Sequence, residues 1–539
     1  MSGATAATAA LAREGAALEE RQWVRLTRRC NNRCLFCHDS DRQDGTNVPM
    51  DRVLEEIQAG RARGAARLVL SGGEATLHPG FLQAVAAGRA AGYRWVQVIS
   101  NGRMFSYERF TRQAAEAGLD EATVSVHGHT AALHDELAGA PGAFAQALRG
   151  IQNLQRAGRV VSVDVVVCRL NVGVLPELLR FFMSMGIMEF DLLHLVPFGR
   201  AWDQERDRLF YDPATEAPRL LEALRMAALP GVHLWTNRWP APLLEGAEHL
   251  VQDPHKLIDE VRGTAEGFQA LIETGTPLQC AGERCGACVM KPFCSALAEA
   301  VERLSAGRFE VVSVTAADAA GLAPGARGAL GRQREAAWRI TAQDGAAAAA
   351  ALSLLPAGPG APLEFDLRRW TGLPGALRPR VRRAVIRDDA ALEAALALPG
   401  CDLEVPLERA TAAVAARALA RAEERVVLAA SPRSRLSATL AEGLPPTEVA
   451  ALAGRSRAEA LPRCLAPRAV LPRARIEAAT LRPDGLLDLF PWAERYVAER
   501  SRTRSLRCGG CAETDRCDGA HVNEVRAHGF SFMRPIGVA

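Results

Sequence analysis

Apolar runs rich in β-branched residues recur through the first two hundred positions, and their length and composition predict strands. They are QWVRLTRR (22–29), ARLVLSGG (66–73), RWVQVIS (94–100), EATVSVHG (121–128), VVSVDVVV (160–167) and EFDLLHLV (189–196). Between them the period changes. DRVLEEIQAGRARG and GAFAQALRGIQNLQRAG repeat their apolar residues every three or four positions, as an amphipathic helix does. Strands alternating with helices specify a parallel sheet, so residues 21–200 are predicted to form a partial (β/α)6 TIM-like barrel of the α/β class. In such a barrel the carboxyl ends of successive strands share one mouth. The cysteines of RRCNNRCLFCHD follow the first strand, SGGE the second, SNG the third and SVHG the fourth.

The pattern then loosens. Residues 1–20 read as a flexible arm and 201–279 as an irregular connector bearing WTNRWPAPLL. A first cysteine module occupies 280–305 and a last one 505–539. Between them, residues 310–500 again alternate strand and helix and predict a further small α/β domain.

Composition changes the picture little. A chain of 539 residues exceeds one hydrophobic core, so several domains are expected. The net charge is only +3 with no dense basic run, which disfavours a nucleic-acid partner. Only Lys256 and Lys291 interrupt an otherwise all-arginine set of 65 basic residues, a compositional bias without functional content. The N-terminus lacks a basic start followed by an apolar core, and the alanine run from Gly345 breaks at Pro356. Neither a signal peptide nor a membrane span is expected, and the chain is placed in the cytoplasm. There the 13 cysteines stay reduced and available to metals.

Cys30, Cys34 and Cys37 are spaced too closely for good mutual disulfides. Thiolates bind iron–sulfur clusters, and a cubane needs one ligand per iron, so three cysteines leave one iron open. Cys30-x-x-x-Cys34-x-Phe36-Cys37 resembles the signature of the radical S-adenosylmethionine (radical SAM) superfamily, aromatic residue included. The resemblance implies that S-adenosylmethionine chelates the open iron of a [4Fe-4S] cluster. An electron from a flavodoxin or ferredoxin then makes a 5′-deoxyadenosyl radical that takes hydrogen from an unactivated carbon.

The same resemblance extends along the barrel. Gly72 and Gly73 match the family's glycine motif near the methionine end, and Glu74 its acceptor for the ammonium, although Ala75 replaces the usual proline. Ser125 matches a serine that binds ribose or carboxylate, Asn101 a cofactor contact, and Pro197-x-Gly199 a turn near the adenine. His127 stands where the family often has aspartate. Singly, each motif reads as an ordinary turn or strand end. Their order at successive strand ends favours the resemblance.

Cys280, Cys285, Cys288 and Cys294, and then Cys508, Cys511 and Cys517, are similar to the SPASM and twitch extensions that carry auxiliary clusters. Here the module is split by some two hundred residues. Two auxiliary [4Fe-4S] clusters are expected, structural zinc being the alternative. The last needs a fourth ligand from Cys464, Cys401 or His521, or keeps an open iron. Cys168 reads as a hydrogen-atom donor or as core. His127, His129 and His134 read as acid–base groups or helix caps. The resemblance implies maturation of a ribosomally made peptide first and small-molecule biosynthesis second. A zinc-bearing interaction or regulatory protein is the reading from another class.

Overall fold

The computed structural model describes residues 21–537, so the expected arm at 1–20 lies outside the described residues. The described chain divides into two compact units, residues 21–252 with Gly282–Val289, and Asp253–Ala281 with residues 290–537. Among the described residues no helix is long and apolar enough to cross a membrane.

The first unit is a parallel half-barrel. Its strands are β1 (Arg21–Thr27), β2 (Arg67–Gly72), β3 (Trp95–Ser100), β4 (Glu121–Ser125), β5 (Val160–Val167), β6 (Glu189–His194) and β7 (His233–Asn237), each beside the next. The first six lie where the apolar runs predict them. The seventh lies in the stretch expected to be an irregular connector, its signal diluted by tryptophan and proline.

Strand parity sorts the side chains. On β5, Val161, Val163, Val165 and Val167 are buried, and each such burial contributes about 1.5–3 kcal/mol. The alternate residues form polar layers across the sheet. In one, Glu121 accepts from Arg67 (2.9 Å), the Trp95 indole (2.8 Å) and Ser162 (2.9 Å). In the next, Ser125, Asp164 and Asp191 stand in register on β4, β5 and β6.

The second unit carries the larger sheet, where a small domain was expected. Its strands are β8 (Val311–Thr315), β9 (Ala337–Ala342), β10 (Leu363–Leu367), β11 (Val381–Val385), β12 (Asp402–Pro406), β13 (Val426–Ala429), β14 (Arg457–Glu459), β15 (Ala469–Val470) and β16 (Arg475–Glu477). All pairings are parallel, and the order runs from β8 to β15 with β16 on the far side of β8. Only Leu471 to Ala474 separate β15 from β16, yet these strands form the two ends of the sheet. A four-residue link spans at most about 18 Å. The sheet therefore closes on itself, the run 469–477 pairing with β14 at its start and β8 at its end. The result is a complete parallel barrel of eight strand positions.

Its lumen holds a closed ring of alternating charge. Arg339 pairs with Glu404 (3.0 Å), Glu404 with Arg383 (3.0 Å) and Arg383 with Glu459 (2.9 Å). Glu459 lies 3.8 Å from Arg473, which pairs with Glu364 (2.6 Å), and Glu364 returns to Arg339 (2.9 Å). Three guanidiniums and three carboxylates cancel, which makes a polar core tolerable inside a barrel. A short antiparallel ribbon, β17 (Arg502–Thr503) with β18 (Ala520–His521), brackets the last cysteines.

Candidate active site and metal centres

The loop carrying Cys30, Cys34 and Cys37 is braced by the ends of three strands. From β2, the Gly73 amide donates to Thr27 O (2.7 Å) and the Glu74 amide to Arg29 O (2.7 Å). A Cβ on Gly72 would stand 2.5 Å from Thr27 O, and one on Gly73 would stand 2.4 Å from Arg29 O. The glycines are thus required by close packing against the entry to the cysteine loop. From β3, the Asn101 amide nitrogen Nδ2 donates to Asn31 Oδ1 (2.7 Å), and Arg103 to Asn32 Oδ1 (2.9 Å) and Asn31 O. From beyond β6, Arg200 donates to the carbonyls of Arg33 (2.7 Å), Cys34 (3.0 Å) and Cys37 (3.1 Å). Gly199 has φ +55°, and a Cβ there would meet Cys37 O at 2.5 Å. Pro197 is buried beside it.

Glu74 is almost wholly buried, and its carboxylate is already engaged. Oε1 accepts from Thr76 N (3.1 Å), the Thr76 hydroxyl (2.5 Å) and Ser100 (2.8 Å), and Oε2 from Asn101 N (2.7 Å). Burial raises its pKa and these donors pull it back. Three of these bonds fall on Oε1 and one on Oε2, and together they tie the ends of β2 and β3 to Glu74.

The cysteine loop suits a cluster. Cys30 Sγ accepts from Asn32 N and Cys37 Sγ from Gln43, each at 3.4 Å, and amide donors of this kind steady thiolates and tune potential. Burial pushes the Cys30 thiol up to about 11 and the Cys34 thiol higher, so ionisation needs a metal's positive charge. Phe36 packs edge-on against His127, ring centres 4.4 Å apart.

Other expected groups turn out to be supports. His127 is buried and held neutral by desolvation, and its amide donates to His134 Nδ1 (3.1 Å). Burial takes His134 down to about 4, while Asp135 caps the next helix through the amides of Gly142 and Phe144. His129 has a buried Nδ1 without a partner and no assigned contact to the cysteines. Cys168 has no exposed surface and packs with Phe36, Leu137 and Leu195 behind the loop. Of the two readings of Cys168, this packing favours core over hydrogen-atom donor.

Pattern reading missed the Asp164–Asp191 pair. Burial pushes Asp164 up to about 7, against a hydrogen bond from Ser125 and with repulsion from Asp191, and pushes Asp191 up to about 6. Each Oδ1 is buried without a hydrogen-bond partner. The available signal was an acid at the inward parity of two neighbouring apolar strands.

In the second unit, Cys464, Cys508, Cys511 and Cys517 line one pocket. Ile536 N donates to Cys511 Sγ (3.3 Å), Gly519 N to Cys517 Sγ (3.4 Å), and Arg534 to Cys464 through its backbone. The other fourth-ligand candidates lie elsewhere. Cys401 is core, and both ring nitrogens of His521 are engaged, with Val497 O and Asn523 N. Of the earlier group, Cys285 and Cys288 fall in the first unit and Cys280 and Cys294 in the second. None of the 13 cysteines forms a disulfide. Among the described residues no three His, Cys, Asp or Glu side chains meet closely enough for a single metal ion.

Residues 24–182 match the family model described as the Radical SAM superfamily. The first unit contains a radical SAM domain. The family implies a [4Fe-4S] cluster with S-adenosylmethionine, and the radical SAM domain's braced cysteine loop is chemically suited to hold it. Over this domain the chain is 36% identical to a pre-heme d1 synthase of Dinoroseobacter shibae, across 180 residues, 32% of this chain and 43% of that protein. It is 29% identical to an AdoMet-dependent heme synthase of Methanosarcina barkeri, across 177 residues, 32% of this chain and 50% of that protein. The chain thus spans about half the length of the curated relatives it matches. The crystal structure of Streptococcus suis SuiB bound to precursor peptide SuiA aligns at 15% identity and a TM-score of 0.37, covering 45% of this chain and 55% of that one.

Proposed function

We propose that this chain is a radical SAM enzyme that takes a hydrogen atom from an unactivated carbon of its substrate. The observation that carries the reading is the cysteine loop, held by Gly73 and Glu74 from β2, Asn101 and Arg103 from β3, and Arg200 from beyond β6. Cys30, Cys34 and Cys37 would hold the cluster, which when bound supplies the electron that cleaves S-adenosylmethionine. Ser125, Pro197 and Gly199 would flank that cofactor at the strand ends. Glu74 acts as a positioning residue. Cys464, Cys508, Cys511 and Cys517 would hold one auxiliary cluster, and Cys280, Cys285, Cys288 and Cys294 a second.

Of the two substrate classes, biosynthesis of a small molecule has the support, because the matched relatives are named for heme and pre-heme d1 synthesis. Peptide maturation, expected first from the auxiliary-cluster resemblance, takes second place. Anaerobically purified protein should contain iron and sulfide and cleave S-adenosylmethionine on reduction. Zinc without iron would establish the zinc-protein reading instead.

A further inference from the structure

The second barrel encloses a cavity of about 350 Å³, within the range of small-molecule sites. It opens where β11 to β14 end, the carboxyl face on which parallel barrels carry their ligands. Nearly all charges on its wall are already paired. Besides the luminal ring, Asp366 pairs with Arg387 (3.1 Å), Glu299 with Arg303 (2.7 Å), and Glu499 with Arg475 and Arg495. Arg433 lies between Glu408 (3.5 Å) and Glu442 (3.6 Å), and Glu524 lies 3.7 Å from His528. Arg502 donates to two carbonyls, and Arg500 is exposed. A charged guest would lose its water here and find no free counter-charge, which is costly.

Two members of the ring line the cavity and keep some surface open to it: Arg339 and Arg473, with side chains 11% and 28% exposed. The edges of both guanidiniums are taken. Arg339 donates through Nε to Glu364 (2.9 Å) and through Nη1 (3.0 Å) and Nη2 to Glu404. Arg473 donates through Nη1 (2.6 Å) and Nη2 (3.2 Å) to Glu364, and its Nε is set 3.8 Å from Glu459. With their donors engaged in the plane, these groups have only their flat faces left to offer. A guanidinium face stacks on an aromatic ring and needs no counter-charge to do so. The half-buried apolar side chains of Leu461, Leu465 and Phe532 line the same cavity.

We propose that the second barrel binds an uncharged aromatic small molecule, its ring over the guanidinium faces of Arg339 and Arg473 and its remaining surface against Leu461, Leu465 and Phe532. The assignment rests on the second unit alone and is independent of the radical chemistry of the first.

Isothermal titration of the full-length protein with indole tests it, beside indole-3-acetate and tryptamine, which carry the same ring with a negative or a positive charge. Indole should bind saturably, and each charged analogue at least about tenfold more weakly. Leu461→Asp sets a carboxylate on the apolar wall and should reverse the order, tryptamine binding more tightly than indole. A merely disturbed fold would not produce that reversal. Phe532→Ala should weaken indole binding about tenfold. The proposal is overturned if indole fails to saturate, if either analogue binds the unaltered protein as tightly as indole, or if neither variant changes binding. Should Leu461→Asp fail to fold, Phe532→Ala decides the matter by itself.

Discussion

The backbone amide of Asn101 donates to Glu74 Oε2 at 2.7 Å, so the second residue past β2 holds the residue that follows β3. Asn101 in turn holds Asn31 inside the cysteine loop. Glu74→Gln presents an amide group to donors that now meet a carboxylate, at a cost of about 1–3 kcal/mol. The variant should melt several degrees lower and bind S-adenosylmethionine more weakly. Weaker binding with an unchanged melting temperature would instead mean that Glu74 touches the cofactor.

Cys34→Ala should abolish S-adenosylmethionine cleavage, because two thiolates cannot retain a cubane with an open iron. Iron in the auxiliary sites should persist. Full cleavage activity in this variant would refute the assignment of the loop.

With Cys30, Cys34 and Cys37 all replaced by alanine, reconstituted protein should hold about eight irons in two cubanes. Adding Cys464→Ala should remove up to about four, since the structure brings that thiol to Cys508, Cys511 and Cys517. Replacing Cys401 by alanine should remove none.

Two acids give opposite pH dependence. Asp164 is raised from 3.8 to about 7, so between these values the folded chain keeps a proton that the unfolded chain releases, and stability falls as pH rises. Asp164→Asn should therefore raise the melting temperature at pH 8 more than at pH 4. Glu404 behaves inversely. Burial disfavours its charge, but the Arg339 and Arg383 guanidiniums hold it down to about 2 from 4.5. Its stabilisation is present above about pH 4.5 and is lost as pH falls towards 2.

Glu404→Gln should also break the luminal ring, leaving Arg339 and Arg383 short of a partner. Loss of one member of a buried ion network costs about 3–5 kcal/mol. Urea unfolding should show this as an earlier transition of the second unit, and a change below about 1 kcal/mol would mean that the ring contributes little.

The six strand runs, the helical repeats between them and the cysteine triplet were legible because each is local. A period of two or of 3.6 is written in neighbouring residues, and so is a three-cysteine spacing. The convergence of SGGE, SNG and the cysteines on one mouth followed from alternation alone, since parallel strands put their carboxyl ends on one side. Long-range closure was not legible. Nothing local in AVLPRARIE says that its first residues pair with β14 and its last with β8. Nor does the spacing of Arg339, Glu364, Arg383, Glu404, Glu459 and Arg473 announce a ring, because each ion pair crosses a lumen between distant segments. The choice of Cys464 over Cys401 and His521 was likewise tertiary: all three lie within reach along the chain, and only packing decides which of them faces Cys508, Cys511 and Cys517. Glu74 shows the limit most plainly. Its motif was recognisable, but its hydrogen bonds to Thr76, Ser100 and Asn101 turn the carboxylate inward, a direction set by two strand ends meeting in space.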